Sequence, residues 1–170
     1  MTKINYPYMP KGKTIKYVSA GNTFMLAAEK ACKELSSEHY HPTGAVVVKN
    51  GKVIGRGGNQ SALKHPKLIA FHKNHFCVRR LLKVKTGEKY WLCPGCASLS
   101  MHGERQALRD AHRHHGDTKG SDLYLWGHWW ACETCWKAMA DSDVRNLYLL
   151  ANSEVLFNRD DPANIIGKHL

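Results

Sequence analysis

"TGAVVVKNGKVIGRGGN", residues 43–59, carries the strongest local structural signal in the chain. Two runs rich in valine and isoleucine flank Asn50-Gly51, a dipeptide that accepts the positive backbone angles of a tight two-residue turn. The stretch reads as a β-hairpin. Gly57-Gly58-Asn59 closes its second arm with residues that favour turning.

The neighbouring segments decide what the hairpin belongs to. Before it, "NTFMLAAEKACKEL", residues 22–35, puts Phe24, Ala27, Ala28, Ala31 and Leu35 on one helical face, with Asn22 or Thr23 as N-cap. Cys32 lies near that face and reads as a small buried hydrophobe. After it, residues 60–100 are polar and irregular. Residues 102–113 then read as a helix, "DLYLW" at 122–126 as a strand, 133–141 as a helix, and "RNLYLLA" at 145–151 as a strand. A hairpin followed by alternating helices and strands predicts an α/β fold of three layers, α/β/α, around a mixed sheet of about five strands. Residues 152–170 read as a polar tail with a short apolar patch.

The chain has 170 residues, which suits a single domain over 1–170. No apolar run approaches the roughly 20 residues that cross a membrane. The opening "MTKINYPYMPKGKTIKY" lacks the apolar core of a signal peptide, so the expected compartment is the cytoplasm. There the six cysteines stay reduced, and metal ligation is favoured over disulfides. The formal net charge of +11 attracts anions. Its lysines and arginines are dispersed, so a small phosphorylated substrate fits as well as a nucleic acid.

Two further stretches carry chemistry: "MHGERQAL" at 101–108 and "WWACETCWKAM" at 129–139. Zinc takes imidazole nitrogen and thiolate sulfur in tetrahedral geometry, and a catalytic site keeps one corner for water. His102, Cys132 and Cys135 supply three such ligands. Each of the two stretches opens a helix, where free N–H groups and the helix dipole favour thiolate over thiol. Glu104 follows His102 too closely to be an obvious fourth ligand, and its carboxylate suits it to move protons. The pattern His-x-Glu followed by Pro-Cys-x-x-Cys marks zinc nucleobase deaminases. Here Ala131 replaces the proline, which bears on loop rigidity more than on metal binding.

On these motifs the sequence resembles the cytidine/deoxycytidylate deaminase superfamily, and within it the deoxycytidylate deaminases, over about residues 20–150. The resemblance implies a cytidine-deaminase-like fold. It implies hydrolytic removal of the 4-amino group of a cytosine deoxynucleotide, dCMP giving dUMP and ammonia, with Glu104 passing protons to N3 and to the leaving amine. It implies that Asn59, at the end of the hairpin, contacts the substrate, and that the chain forms a homo-oligomer such as a hexamer. Many relatives answer to dCTP and dTTP as effectors.

The insertion "HFCVRRLLKVKTGEKYWLCPGCASLSMHGERQAL" is similar to one in deoxycytidylate deaminases, with a cysteine before an arginine and a Gly-Glu-x-Tyr turn at 87–90. Cys77, Cys93 and Cys96 invite a second, structural zinc, since Cys93-Pro94-Gly95-Cys96 has the knuckle spacing that wraps one ion. Among His65, His72 and His75, the sequence reading favours His75 as the fourth ligand. Arg79 and Arg80, with Lys73 and Lys83, are the expected partners of a 5′-phosphate. Trp129 and Trp130 enter the loop toward the metal, where an aromatic wall would stack on a pyrimidine. A deaminase of tRNA or single-stranded DNA, and a non-catalytic zinc- or nucleotide-binding module, are the alternatives.

Overall fold

The computed structural model describes residues 4–62, 64–85 and 88–166. Gly87 of the Gly-Glu-x-Tyr motif lies outside them. The order of elements is β1 (Ile15–Val18), α1 (Thr23–Leu35), β2 (Gly44–Lys49), β3 (Lys52–Gly58), α2 (Pro66–Asn74), α3 (Val78–Leu81), α4 (Gly103–His115), β4 (Asp122–Trp126), α5 (Glu133–Asp141), β5 (Asn146–Leu150) and α6 (Ser153–Leu156). The five strands form one mixed sheet in the order β1-β5-β4-β2-β3. Strand β2 runs antiparallel to β3 and β4, while β4, β5 and β1 are parallel.

The hairpin forms where the sequence places it. Asn50 and Gly51 both take positive φ, 51° and 72°, as a two-residue turn requires. Strand β2 is buried on both faces, its side chains alternating between the two layers. Val46 and Val48 meet Met25, Ala28 and Ala31 of α1. Ala45 and Val47 meet Ala107, Leu108 and Ala111 of α4, with Cys135, Trp136 and Met139 of α5. The result is the three-layer arrangement expected from the sequence.

The glycines of the second arm set the position of α4. A Cβ on Gly57 would lie 2.3 Å from the backbone nitrogen of Ala107, and one on Gly55 would lie 2.3 Å from the Ala107 carbonyl oxygen. Any side chain at either place would push α4 off the sheet. The start of α4, which carries His102 and Glu104, is thereby fixed against the hairpin.

Three elements depart from the sequence reading. Strand β1 is an edge strand with exposed Lys16 and Tyr17, so it lacks the apolar signature of an inner strand. Residues 60–100, read as irregular, contain α2, α3 and two short 3₁₀ turns at 90–92 and 99–101. Helix α2 escapes an amphipathic reading because its one buried residue is His72, not an aliphatic. In the C-terminal segment, Phe157 is fully buried and joins Ile166 in the core beside α1. Among the described residues, no helix is long and apolar enough to cross a membrane.

Candidate metal centre and active-site cleft

Helices α4 and α5 start side by side. His102 is the N-cap of α4 and Cys132 the N-cap of α5, and neither side chain caps its own helix. Both are turned instead toward each other and toward Cys135. His102 Nδ1 lies 3.5 Å from Sγ of Cys132 and 3.5 Å from Sγ of Cys135, and the two sulfurs are 3.3 Å apart. Zinc bonds of about 2.0–2.3 Å at tetrahedral angles place ligand atoms about 3.5–3.8 Å apart. The trio fits that ion closely, and the chemistry of its donors, one imidazole and two thiols, suits zinc.

The electrostatics agree. The Cys132 thiol is pushed down to about 3, chiefly by its hydrogen bond with Cys135 and further by His102 and Thr134. Cys135 is held up by the same partner and by burial. Burial also raises the Glu104 pKa, against the pull of His102. Glu104 is 5 % exposed, on the first turn of α4. Burial that favours the neutral form of the carboxyl suits a group that both takes and gives a proton.

One cleft contains these groups. It is lined by His102, Glu104 and Cys132, by Asn59, His41, His128 and Trp130, and by Arg79, Arg80, Tyr90 and Arg159. Tyr90 meets the His102 ring edge-on, 6.0 Å between centroids. The Asn59 amide is fully engaged with its own surroundings. Its Oδ1 accepts from the Thr43 N–H at 2.9 Å and the Ser36 hydroxyl at 2.6 Å, while Nδ2 donates to the His41 carbonyl at 2.9 Å. It thus shapes the His41–Thr43 wall of the cleft. Trp130 lines the cleft, whereas Trp129 packs on the α1-side core and on Tyr6. His41 and His128 lie 4.9 Å apart between ring centroids, and burial lowers the pKa of both, to about 4 for His41.

A second cluster adjoins the cleft, which Cys77 and Cys96 also line. His72, Cys77, Cys93 and Cys96 are all buried, with one ligand atom each and all four atoms within 4.8 Å of one another. His72 Nδ1 is 3.2 Å from Cys93 Sγ, and the Cys77 and Cys96 sulfurs are 3.4 Å apart. The sequence reading favoured His75, but the structure brings His72 to the cysteines. His75 caps the end of α2 and its ring lies against Phe71. The reason lies at the helix end: His72 sits inside α2 and is buried, whereas His75 is the C-cap, with φ −116° and ψ −81°, where the backbone has already left the helix. Gly95 makes the close approach possible, since a Cβ there would sit 2.2 Å from Cβ of His72. Lys73 and Lys83 are not among the residues that line the cleft.

Several cleft residues carried no signal in the sequence. Glu38, Tyr40 and His41 come from the loop before β2, and Arg159 from the segment after α6. They reach the cleft only because the sheet brings loops from distant parts of the chain to the end of β2 and β4.

The sequence from residue 19 to 151 matches the family model described as the cytidine and deoxycytidylate deaminase zinc-binding region. The chain belongs to this deaminase family. Among solved structures it is similar to the dCMP deaminase of cyanophage S-TIM5, with 21% identity over 76% of this chain and 82% of that one, at a TM-score of 0.47. It is similar to guanine deaminase from Bacillus subtilis, with 17% identity over 81% and 71% of the two chains, at a TM-score of 0.44. It is also similar to a structure from a study of A-to-I editing by tRNA:A34 deaminases, with 23% identity over 64% and 60%, at a TM-score of 0.36. None of the curated proteins matches this sequence. In this member of the zinc-binding deaminase family, His102, Cys132 and Cys135 stand close enough to hold one metal ion, and His102, Glu104 and Cys132 line one cleft.

Proposed function

We propose that this protein hydrolytically deaminates a cytosine deoxynucleotide, dCMP to dUMP and ammonia, with zinc held by His102, Cys132 and Cys135. The observation that supports the reading is the cleft itself. Two ligands of a three-ligand metal centre, a buried carboxyl and two arginines all line it. When bound, zinc supplies a Lewis acid that makes water a usable nucleophile at neutral pH. Glu104 accepts a proton, delivers it to the ring nitrogen, and carries the next to the departing amine. Trp130 and the neutral His41 and His128 exclude water and border the base. Arg79 and Arg80 take the 5′-phosphate through charge-assisted hydrogen bonds.

A second, structural zinc belongs to the same reading, held by His72, Cys77, Cys93 and Cys96. Their donor set and spacing match the closed Cys₃His sites that stabilise small segments. The Cys77 hydrogen bond holds the Cys93 thiol well below its usual range, which suits it to ligation. Homo-oligomerisation, control by dCTP or dTTP and a cytoplasmic location belong to this reading as well.

The test is an ammonia-release assay on zinc-loaded protein with cytidine, dCMP, dCTP, adenosine-containing RNA and single-stranded DNA. Turnover highest on dCMP is expected. Turnover only on RNA or DNA would move the substrate to a polymer, the alternative that the +11 charge favours. No turnover on any of the five overturns the enzymatic reading.

A further inference from the structure

The two arginines that line the cleft beside the second cluster, Arg79 and Arg80, are mounted in the same way. The guanidinium of Arg79 lies 4.1 Å from the centroid of the Tyr90 ring, and that of Arg80 lies 4.7 Å from the centroid of Tyr40. Each is a cation over an aromatic face. Both tyrosines pack on the His72/Cys cluster. Tyr40 is buried within it and meets the His72 ring edge-on at 5.3 Å, and Tyr90 packs against it from outside. Arg79 is further tied to the carbonyls of Glu88 at 2.9 Å and Lys85 at 3.2 Å.

Both arginines share one short element. They sit on α3, a helix of four residues that begins directly after Cys77 and has no buried residue of its own. A single helical turn has no stability in isolation. What fixes it is the cluster before it and the Tyr90–Cys93 segment after it. Glu38 completes the frame. Its Oε1 accepts from His72 Nε2 at 2.8 Å and from the Tyr40 N–H at 3.2 Å, and its Oε2 accepts from the Ala97 N–H at 3.2 Å.

The geometry points to a metal-dependent anion grip: occupancy of the His72/Cys77/Cys93/Cys96 site holds Arg79 and Arg80 in place to bind a nucleotide phosphate. This rests on the proposed second zinc. Metal binding and segment ordering are linked, because the ligands converge only in the folded insertion. An emptied site loosens α3 and the two tyrosines, and phosphate affinity falls. The metal centre of His102, Cys132 and Cys135 lies on other elements, α4 and α5, and keeps its ion.

The experiment compares wild type, Cys93→Ser and Tyr40→Leu. It measures zinc per chain, then titrates inorganic phosphate, deoxycytidine and dCMP by calorimetry. Wild type should carry two zinc ions, Cys93→Ser one, and Tyr40→Leu two. Both variants should lose roughly tenfold to a hundredfold in affinity for phosphate and for dCMP. Deoxycytidine, which has no phosphate, should bind Cys93→Ser within about twofold of wild type. One zinc in wild type overturns the second-site reading, and this inference with it. Two zinc ions in wild type with unchanged phosphate affinity in Cys93→Ser overturns the inference alone. Tyr40→Leu keeps all four ligands, so it decides the matter if Cys93→Ser does not fold: phosphate affinity equal to wild type overturns the grip. The inorganic phosphate arm reads the grip even if dCMP is not the substrate.

Discussion

Nε2 of His72 donates to Oε1 of Glu38 at 2.8 Å, with only 1 % and 8 % of the two side chains exposed. Burial works against a charged carboxyl, but the bond from His72 holds Glu38 below its usual range. A histidine so anchored has its Nδ1 aimed at the three cysteines. Carboxylates that orient metal-bound histidines in this way raise metal affinity by about 10–100-fold. Glu38→Gln keeps the shape and loses the charge. Its expected effect is a drop of that order in zinc affinity at this site, read by chelator competition. The ion of His102, Cys132 and Cys135 should resist the chelator as it does in wild type.

Glu104→Gln tests the proton carrier. Zinc content should stay at the wild-type value, because Glu104 is not one of the three clustered ligands. Turnover should fall by about 10²–10⁴, the usual contribution of a positioned acid–base group. Wild-type kcat with full zinc would remove Glu104 from the chemistry.

Gly57→Ala tests the contact that seats α4. The added carbon would stand 2.3 Å from a backbone nitrogen, which cannot rotate away. The expected cost is about 1–3 kcal/mol, or a lowering of Tm by roughly 5 °C, measured by thermal unfolding. An unchanged Tm would mean that α4 does not press on β3.

The pH dependence of stability has a definite sign. Burial, with the charge of Arg159, pushes His41 down to about 4. In the unfolded chain the imidazole titrates near 6.5. Between these values the unfolded state binds a proton that the folded state refuses. His41 therefore contributes fully above about pH 6.5, and its contribution is lost as pH falls toward 4. Urea midpoints at pH 7.5 and pH 5 should differ less for His41→Gln than for wild type.

Phe157→Ala tests whether the C-terminal segment belongs to the core. Phe157 is fully buried among α1-side residues and meets Trp126 at 5.0 Å between ring centroids. Truncation of so large a buried ring costs about 3–5 kcal/mol, which denaturant unfolding reads directly. A cost near zero would return the segment to the status of a polar tail.

The sequence by itself determined the hairpin, the alternation after it and the catalytic trio. Those features are local: a turn dipeptide, a two-residue or helical repeat, and two cysteines within one turn of helix, to which His102, 30 residues away from Cys132, is joined by its own His-x-Glu motif. Asn50-Gly51 and Cys132-x-x-Cys135 need no distant partner to be recognised. Strand β1 and helix α2 were hidden for the opposite reason. Lys16 and Tyr17 face solvent at the sheet edge, and α2 buries a histidine where a helix pattern expects an aliphatic. Only the tertiary structure chose His72 over His75, because that choice depends on how α2 is rotated against the Cys93–Cys96 knuckle. It alone brought Glu38, Tyr40, His41 and Arg159 to the cleft. Residues gathered from separate loops share no spacing in the chain, and packing is what makes them neighbours.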